Sequence, residues 1–211
     1  MILLLTFVYS VASANGFFNF LNLEVMGAII PSTFLSSGIV VLTKVFSNAY
    51  WSYNFNVYKK FSVWFIGLLM FVVSGLLFLF PFSSPSITRY QSVQISKEKK
   101  ALLILFKTFT VLSLMIPFSI LFMLGFEVLG DSGMLLTLMS TFYSLIPIKM
   151  LAGKVLFDYR KDYSLIMLVF LGVLFFGATL NLLPYLVFLI AGIKSAIIAI
   201  MARKKLENFS I

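Results

Sequence analysis

Seven long apolar runs separated by short polar stretches leave this chain one main solvent, and it is lipid. The runs cover about 2–14, 25–46, 61–82, 101–125, 133–151, 164–180 and 185–202. A membrane helix needs roughly 20 apolar residues, and most of these runs are near that length. Only 11% of the residues are charged, whereas a soluble domain has roughly 25%. Too little polar side chain remains to cover a water-facing surface. No internal repeat or low-complexity linker divides residues 1–211, so the chain reads as a single polytopic membrane domain. The expected fold class is an all-α integral membrane protein.

The charges between the runs predict its orientation. Lys59 and Lys60 follow the second run, and Arg89, Lys97, Lys99 and Lys100 follow the third. Lys154, Arg160 and Lys161 follow the fifth, and Arg203, Lys204 and Lys205 follow the last. The fourth run is followed only by Glu127 and Asp131. If every run crossed the membrane, the basic stretches on either side of run 61–82 would face opposite compartments. Basic residues collect on the cytoplasmic side. If run 61–82 enters and returns as a re-entrant hairpin, all the basic loops and the C-terminus fall on that side. Ser74-Gly75 at its middle and Pro81 near its end suit such a hairpin. The other reading is an ordinary spanning helix that breaks the charge rule. The hairpin reading predicts about six transmembrane helices in a multi-pass protein of the cell membrane. The Lys-rich, Arg-poor composition fits a prokaryotic membrane. Run 2–14 ends in Ala12-Ser13-Ala14, which resembles a signal-peptide cleavage site. No Lys or Arg precedes it, so it reads as a retained first helix.

The absences narrow the chemistry. There is no cysteine and no histidine, so thiolate catalysis, disulfides and imidazole metal sites are excluded. The net charge of +9 does not point to nucleic acid, because no basic stretch is long enough to track phosphates.

The stretch from Phe142 through Ser144-Leu145-Ile146-Pro147 to Leu151-Ala152-Gly153-Lys154-Val155-Leu156 resembles the second motif of the site-2 proteases, in its archaeal form. These are intramembrane zinc metalloproteases. Leu145, Ile146, Pro147, Leu151, Gly153, Lys154 and Val155 fit that motif. Ser144 stands where the family has Asn, Met150 where it has Pro, and Ala152 where it has the metal-binding Asp. Upstream, Lys44-Val45-Phe46 through Tyr50-Trp51 is similar to the stretch that follows the family's HExxH. Ile39-Val40-Val41-Leu42-Thr43 then occupies the HExxH place, and 65–81 is similar to the hydrophobic region after it. The resemblance covers most of 31–161, and runs 164–202 add C-terminal helices. It implies a site-2-protease-like core.

Zinc proteolysis needs three protein ligands, a bound water and a carboxylate base. Every one of those positions is apolar or hydroxyl here. The resemblance therefore implies a pseudoprotease with no catalytic residue, no metal and no cofactor. Its vestigial cleft would be lined by Ile39, Val40, Thr43, Ser144 and Ala152. A Ser144–Lys149 dyad is disfavoured, because a spacing of five does not align two residues on one helix face.

Lys194 lies near the middle of the last run. A mid-membrane cation normally faces a bundle interior or a water path, or else it snorkels. Beside it the small residues Ala191, Gly192, Ser195, Ala196 and Ala199 permit close helix packing, within the bundle or with a partner. The functional expectation is a non-catalytic membrane protein that binds a transmembrane segment or serves in a membrane complex. Its partners are then the bilayer and another membrane protein. The alternative is a small transporter or channel-like subunit.

Overall fold

The structure is a computed structural model and describes residues 2–14, 22–55, 59–63, 65–77, 86–90, 96–148 and 151–207. Lys149, Met150 and Pro81 lie outside them. Helices make up the bulk of the fold. They are α1 (Ile2–Ser13), α2 (Leu23–Asn54), α3 (Phe65–Leu77), α4 (Lys97–Leu112), α5 (Met115–Met123), α6 (Glu127–Leu145), α7 (Ala152–Tyr159), α8 (Lys161–Thr179) and α9 (Tyr185–Glu207). Two short strands, β1 (Lys59–Val63) and β2 (Ser86–Tyr90), form an antiparallel ribbon. Helices suit this composition because each satisfies its backbone hydrogen bonds internally, as lipid requires.

Four stretches are long and apolar enough to cross a membrane: Ile29–Asn54, Lys97–Met123, Lys161–Thr179 and Tyr185–Arg203. Two shorter apolar helices, Ile2–Val11 and Phe65–Ser74, accompany them. The expectation of about six spanning helices is therefore met in part, by four. The fourth predicted run becomes α4 and α5 with a break at Ser113-Leu114. Pro117 sits in the first turn of α5, where its missing N–H costs little. The fifth predicted run, 133–151, begins earlier, at Glu127, and stops at Leu145 before Pro147.

The hydrogen bonds between helices give their directions. Thr6 and Ser37 hydroxyls meet at 2.9 Å, and Ser10 and Thr33 at 2.6 Å, so α1 runs antiparallel to α2. Ser36 and Ser132 hydroxyls meet at 2.9 Å, and Lys44 Nζ donates to the Ser140 carbonyl at 3.4 Å. Helices α2 and α6 therefore run parallel. Helix α9 runs antiparallel to the α4–α5 pair, with Ala202 in one cluster with Leu103 and Gly192 against Ile116.

Helix α6 is the hub. Buried residues point from it in every direction, among them Gly133, Met134, Leu136, Leu138, Met139 and Leu145. Past Asp131, its Ser and Thr hydroxyls turn back to the helix's own carbonyls, such as Thr137 to Gly133 and Thr141 to Thr137. A helix screened from lipid on all sides tolerates such residues, so its mean hydropathy understates its burial. Close packing depends on glycine. A Cβ on Gly133 would stand 2.2 Å from the Phe118 ring, and one on Gly153 would stand 1.9 Å from the Leu145 carbonyl oxygen.

These directions gather the basic flanks. The end of α2, the ribbon, the start of α4, helix α7, the start of α8 and the end of α9 share one end of the bundle. The opposite end holds Glu127, Asp131 and two left-handed turns, Gly125 (φ 91°) and Asn181 (φ 53°).

The ribbon also fixes the ends of run 61–82. Val63 pairs with Ser86 and Lys59 with Tyr90, so the chain leaves and returns at one place. Between them α3 packs along α1. Phe71 lies 6.4 Å from Tyr9, and Leu76 packs with Val11, Met26 and Ile29. A helix of 13 residues is about 20 Å long, and the chain from Leu77 to Ser86 can stretch about 30 Å. That reach is sufficient for the return.

Candidate functional site: the α2–α6 seam and the outer face of α9

Two places bring polar chemistry into the apolar bundle. The first is the seam between α2 and α6. Three of the expected cleft residues lie on α2. Val40 is in the core at 2% exposure, and Ile39 and Thr43 are half-buried. Ser144 is half-buried near the end of α6, and its hydroxyl donates to the Thr141 carbonyl at 2.8 Å. Ala152 opens α7, which packs on α4, α6 and α8. The parallel register sets Ser36 level with Ser132 and Lys44 level with Ser140. Ile39 and Thr43 are consequently level with the middle of α6. The α2 residues level with Ser144 are Ser47 and Asn48. Helices α2 and α6 are adjacent, but Ser144 lies one turn beyond Thr43 along the seam, and Ala152 lies past the end of α6 on a different helix.

The polar residues that the seam does hold include two that sequence reasoning missed. Run 25–46 ends two residues after Lys44, which by sequence alone makes it a flanking charge. In the structure α2 continues to Asn54, which leaves Lys44 inside the helix with its ammonium on the Ser140 carbonyl. One turn on, Asn48 Oδ1 is buried without a hydrogen-bond partner, the one such side-chain atom among the described residues. The spacing of Lys44, Asn48 and Trp51, three or four apart, was the signal that could have found this face. Trp51 Nε1 donates to the Thr110 hydroxyl at 2.9 Å and ties the same face to α4.

The second place is α9. Its small residues turn inward. Ala191, Gly192 and Ser195 are buried, and a Cβ on Gly192 would meet Ile116 Cγ1 at 2.9 Å. The small-residue stripe thus serves packing within the bundle. Lys194 points the other way and is exposed. Its neighbours on that face, Ile190, Ile197 and Met201, are exposed apolar residues. Nothing among the described residues accepts a hydrogen bond from Lys194 or pairs with its charge. A lysine at the centre of a membrane helix disfavours insertion by roughly 2.5–3.5 kcal/mol.

At the acidic end, Asp131, Asn181 and Tyr185 border a cavity of about 10 Å³, room for a single water. The Tyr185 hydroxyl donates to Asp131 at 3.5 Å. Among the described residues, no group of three or more Asp and Glu side chains is placed to hold a metal ion. Compared with protein-family models, curated proteins and solved structures, the chain has no match.

Proposed function

We propose that this chain is a non-catalytic component of a membrane complex, built on a site-2-protease-like scaffold that has lost its zinc site. The observation that carries this reading is the closed α2–α6 seam. Where the resemblance puts the cleft, Ser36 bonds Ser132 and Lys44 reaches the Ser140 carbonyl. Val40 fills the core beside them. A seam held in this way supports a fixed scaffold better than a channel that admits a substrate helix.

The proposed setting is the cell membrane, with the basic end of the bundle in the cytoplasm. Run 61–82 is then a re-entrant segment that starts and ends on that side. The pairing of β1 with β2 supports this, and so does the burial of Phe71 and Ser74 by other parts of the chain. Protein-covered backbone is tolerated at membrane depth.

The test is extraction from native membranes in a mild detergent. The chain should travel in an assembly with other membrane proteins, and it should leave model transmembrane substrates uncut with or without added zinc. A chain that is monomeric and cleaves such a substrate would sink the proposal. One observation favours the transporter or channel reading: Lys44 and the unpartnered Asn48 Oδ1 lie in succession along the seam. Ion or solute flux through vesicles holding the pure protein, lost in Asn48→Leu, would establish it.

A further inference from the structure

We infer that the outer face of α9, centred on Lys194, docks a transmembrane helix of a different protein that carries a carboxylate at mid-membrane depth. This rests on the reading of the chain as part of a membrane complex and names the kind of partner.

The argument begins with depth. Lys194 lies nine residues from each end of the span Tyr185–Arg203, or about 13 Å along the axis at 1.5 Å per residue. The hydrocarbon core has a half-thickness of about 15 Å. A lysine stem reaches about 6 Å, so snorkelling leaves the ammonium well inside the hydrocarbon. The direction is also unfavourable. Side chains lean toward the N-terminus of their helix, which here is the Tyr185 end, away from the basic end of α9.

The next step is what surrounds it. Ile190, Lys194, Ile197 and Met201 recur at spacings of four, three and four, which makes one continuous helix face. All four are exposed. The bundle turns its packing stripe of Ala191, Gly192 and Ser195 inward, and among the described residues nothing pairs with Lys194. An ammonium at this depth calls for an anion at the same depth, and lipid headgroups do not lie there.

A second copy of this chain does not supply one. All seven acidic residues sit toward the ends of their helices: Glu24, Glu98, Glu127, Asp131, Asp158, Asp162 and Glu207. Two copies with the same membrane orientation, related by a two-fold axis at this face, would bring Lys194 against Lys194. The charge pattern therefore selects a foreign helix with a central Asp or Glu, flanked by apolar side chains that cover Ile190, Ile197 and Met201.

The test uses the full chain in phosphatidylcholine vesicles. The protein has no cysteine, so L182C gives one donor-dye site in the exposed α8–α9 turn. The probes are acceptor-labelled Leu/Ala helices of membrane-spanning length with a central Glu, Gln or Leu. Energy transfer should show the Glu helix binding about tenfold more tightly than the Leu helix. Lys194→Leu should erase that preference, and Lys194→Arg should keep it. Equal binding of the three helices, or a Glu preference that persists in Lys194→Leu, would overturn the inference. So would disulfide cross-linking between copies of an I197C chain, which would make the occupant a second copy. The broader reading is separable. A native assembly that survives Lys194→Leu unchanged removes this face from the interface but leaves the subunit reading standing. Isolation of the wild-type chain as a lone monomer removes the subunit reading itself.

Discussion

Lys44 and Lys194 both sit inside apolar helices of this protein, and the bundle treats them differently. Lys44 faces α6, reaches the Ser140 carbonyl and shares the seam with the Ser36–Ser132 hydroxyl pair two turns away. Lys194 faces outward from α9 among isoleucines. The first cation belongs to a closed contact within one chain. The second has a need that none of the described residues meets. Each lies at least nine residues from either end of its helical span, and it is the surroundings that give each its role. The same contrast separates the regions as wholes. The α6 side is packed down to missing Cβ atoms, while the outer face of α9 is open.

The largest effect that tests this contrast is steric. A leucine at Gly133 has to displace Phe118, whose ring lies 2.2 Å from where a Cβ would stand. Gly133→Leu should destabilise the fold by at least about 3 kcal/mol, read as earlier unfolding in a detergent–SDS titration followed by circular dichroism. The matching change on the open face, Ile197→Leu, should stay within about 0.5 kcal/mol. Equal losses at the two sites would mean that α9 is as tightly enclosed as α6.

Exchanging the lysines for methionine sharpens the comparison. Lys194→Met should favour insertion of the α9 segment by about 3 kcal/mol in a translocon insertion assay, and it should weaken any native assembly. Lys44→Met should leave stability within about 1 kcal/mol of wild type. An apolar residue of similar volume in place of a buried charge is often neutral or mildly stabilising. A large loss on Lys44→Met, measured by the same SDS titration, would show that the ammonium does more than seal the seam.

Asn48 gives a smaller effect. Its Oδ1 is buried and unpartnered, so Asn48→Leu should stabilise the isolated protein by about 1 kcal/mol. If unfolding measurements show a loss instead, the amide has a partner in the native membrane and the seam holds a ligand or a water.

The legibility of these features follows from what a hydropathy pattern can register. Lipid-facing helices such as α8 and α9 announce themselves, because their exposed faces must be apolar. The hub helix α6 was legible as run 133–151, but its central burial was not, because protein surrounds it and allows Ser132, Thr137, Ser140 and Thr141 in its interior. Ser47, Asn48 and Ser52 interrupt the apolar run and put Lys44 at its flank in sequence, although the helix continues through them to Asn54. The position of Lys194 was plain from the sequence, but its outward direction came only with the packing of Gly192 on Ile116. The charge asymmetry that predicts a return of run 61–82 was legible. The ribbon at its base was not, because β1 and β2 are short and their partners lie more than twenty residues away. The expected cleft residues could be aligned to a motif, but their levels along the seam depend on the parallel register of α2 and α6, which no local pattern encodes.

The finest test lies in that register. If the Ser36–Ser132 contact is what joins the helices there, Ser36→Ala and Ser132→Ala should not add. Their coupling energy should be about 0.6 kcal/mol, the ordinary size for a hydroxyl pair between membrane helices. Each hydroxyl has an alternative in its own helix: Ser36 reaches the Ser32 carbonyl at 2.8 Å and Ser132 the Leu129 carbonyl at 3.3 Å. Those alternatives keep the coupling small. The Lys194→Leu background should leave the coupling unchanged, since α9 packs on α4 and α5 and α2 is not its main neighbour. A coupling near zero would mean that the serines share space without a bond, and that small side-chain size alone holds the seam closed. A coupling that changes with residue 194 would mean that the inward and outward sides of the bundle are not independent, and the contrast between the two lysines would have to be redrawn.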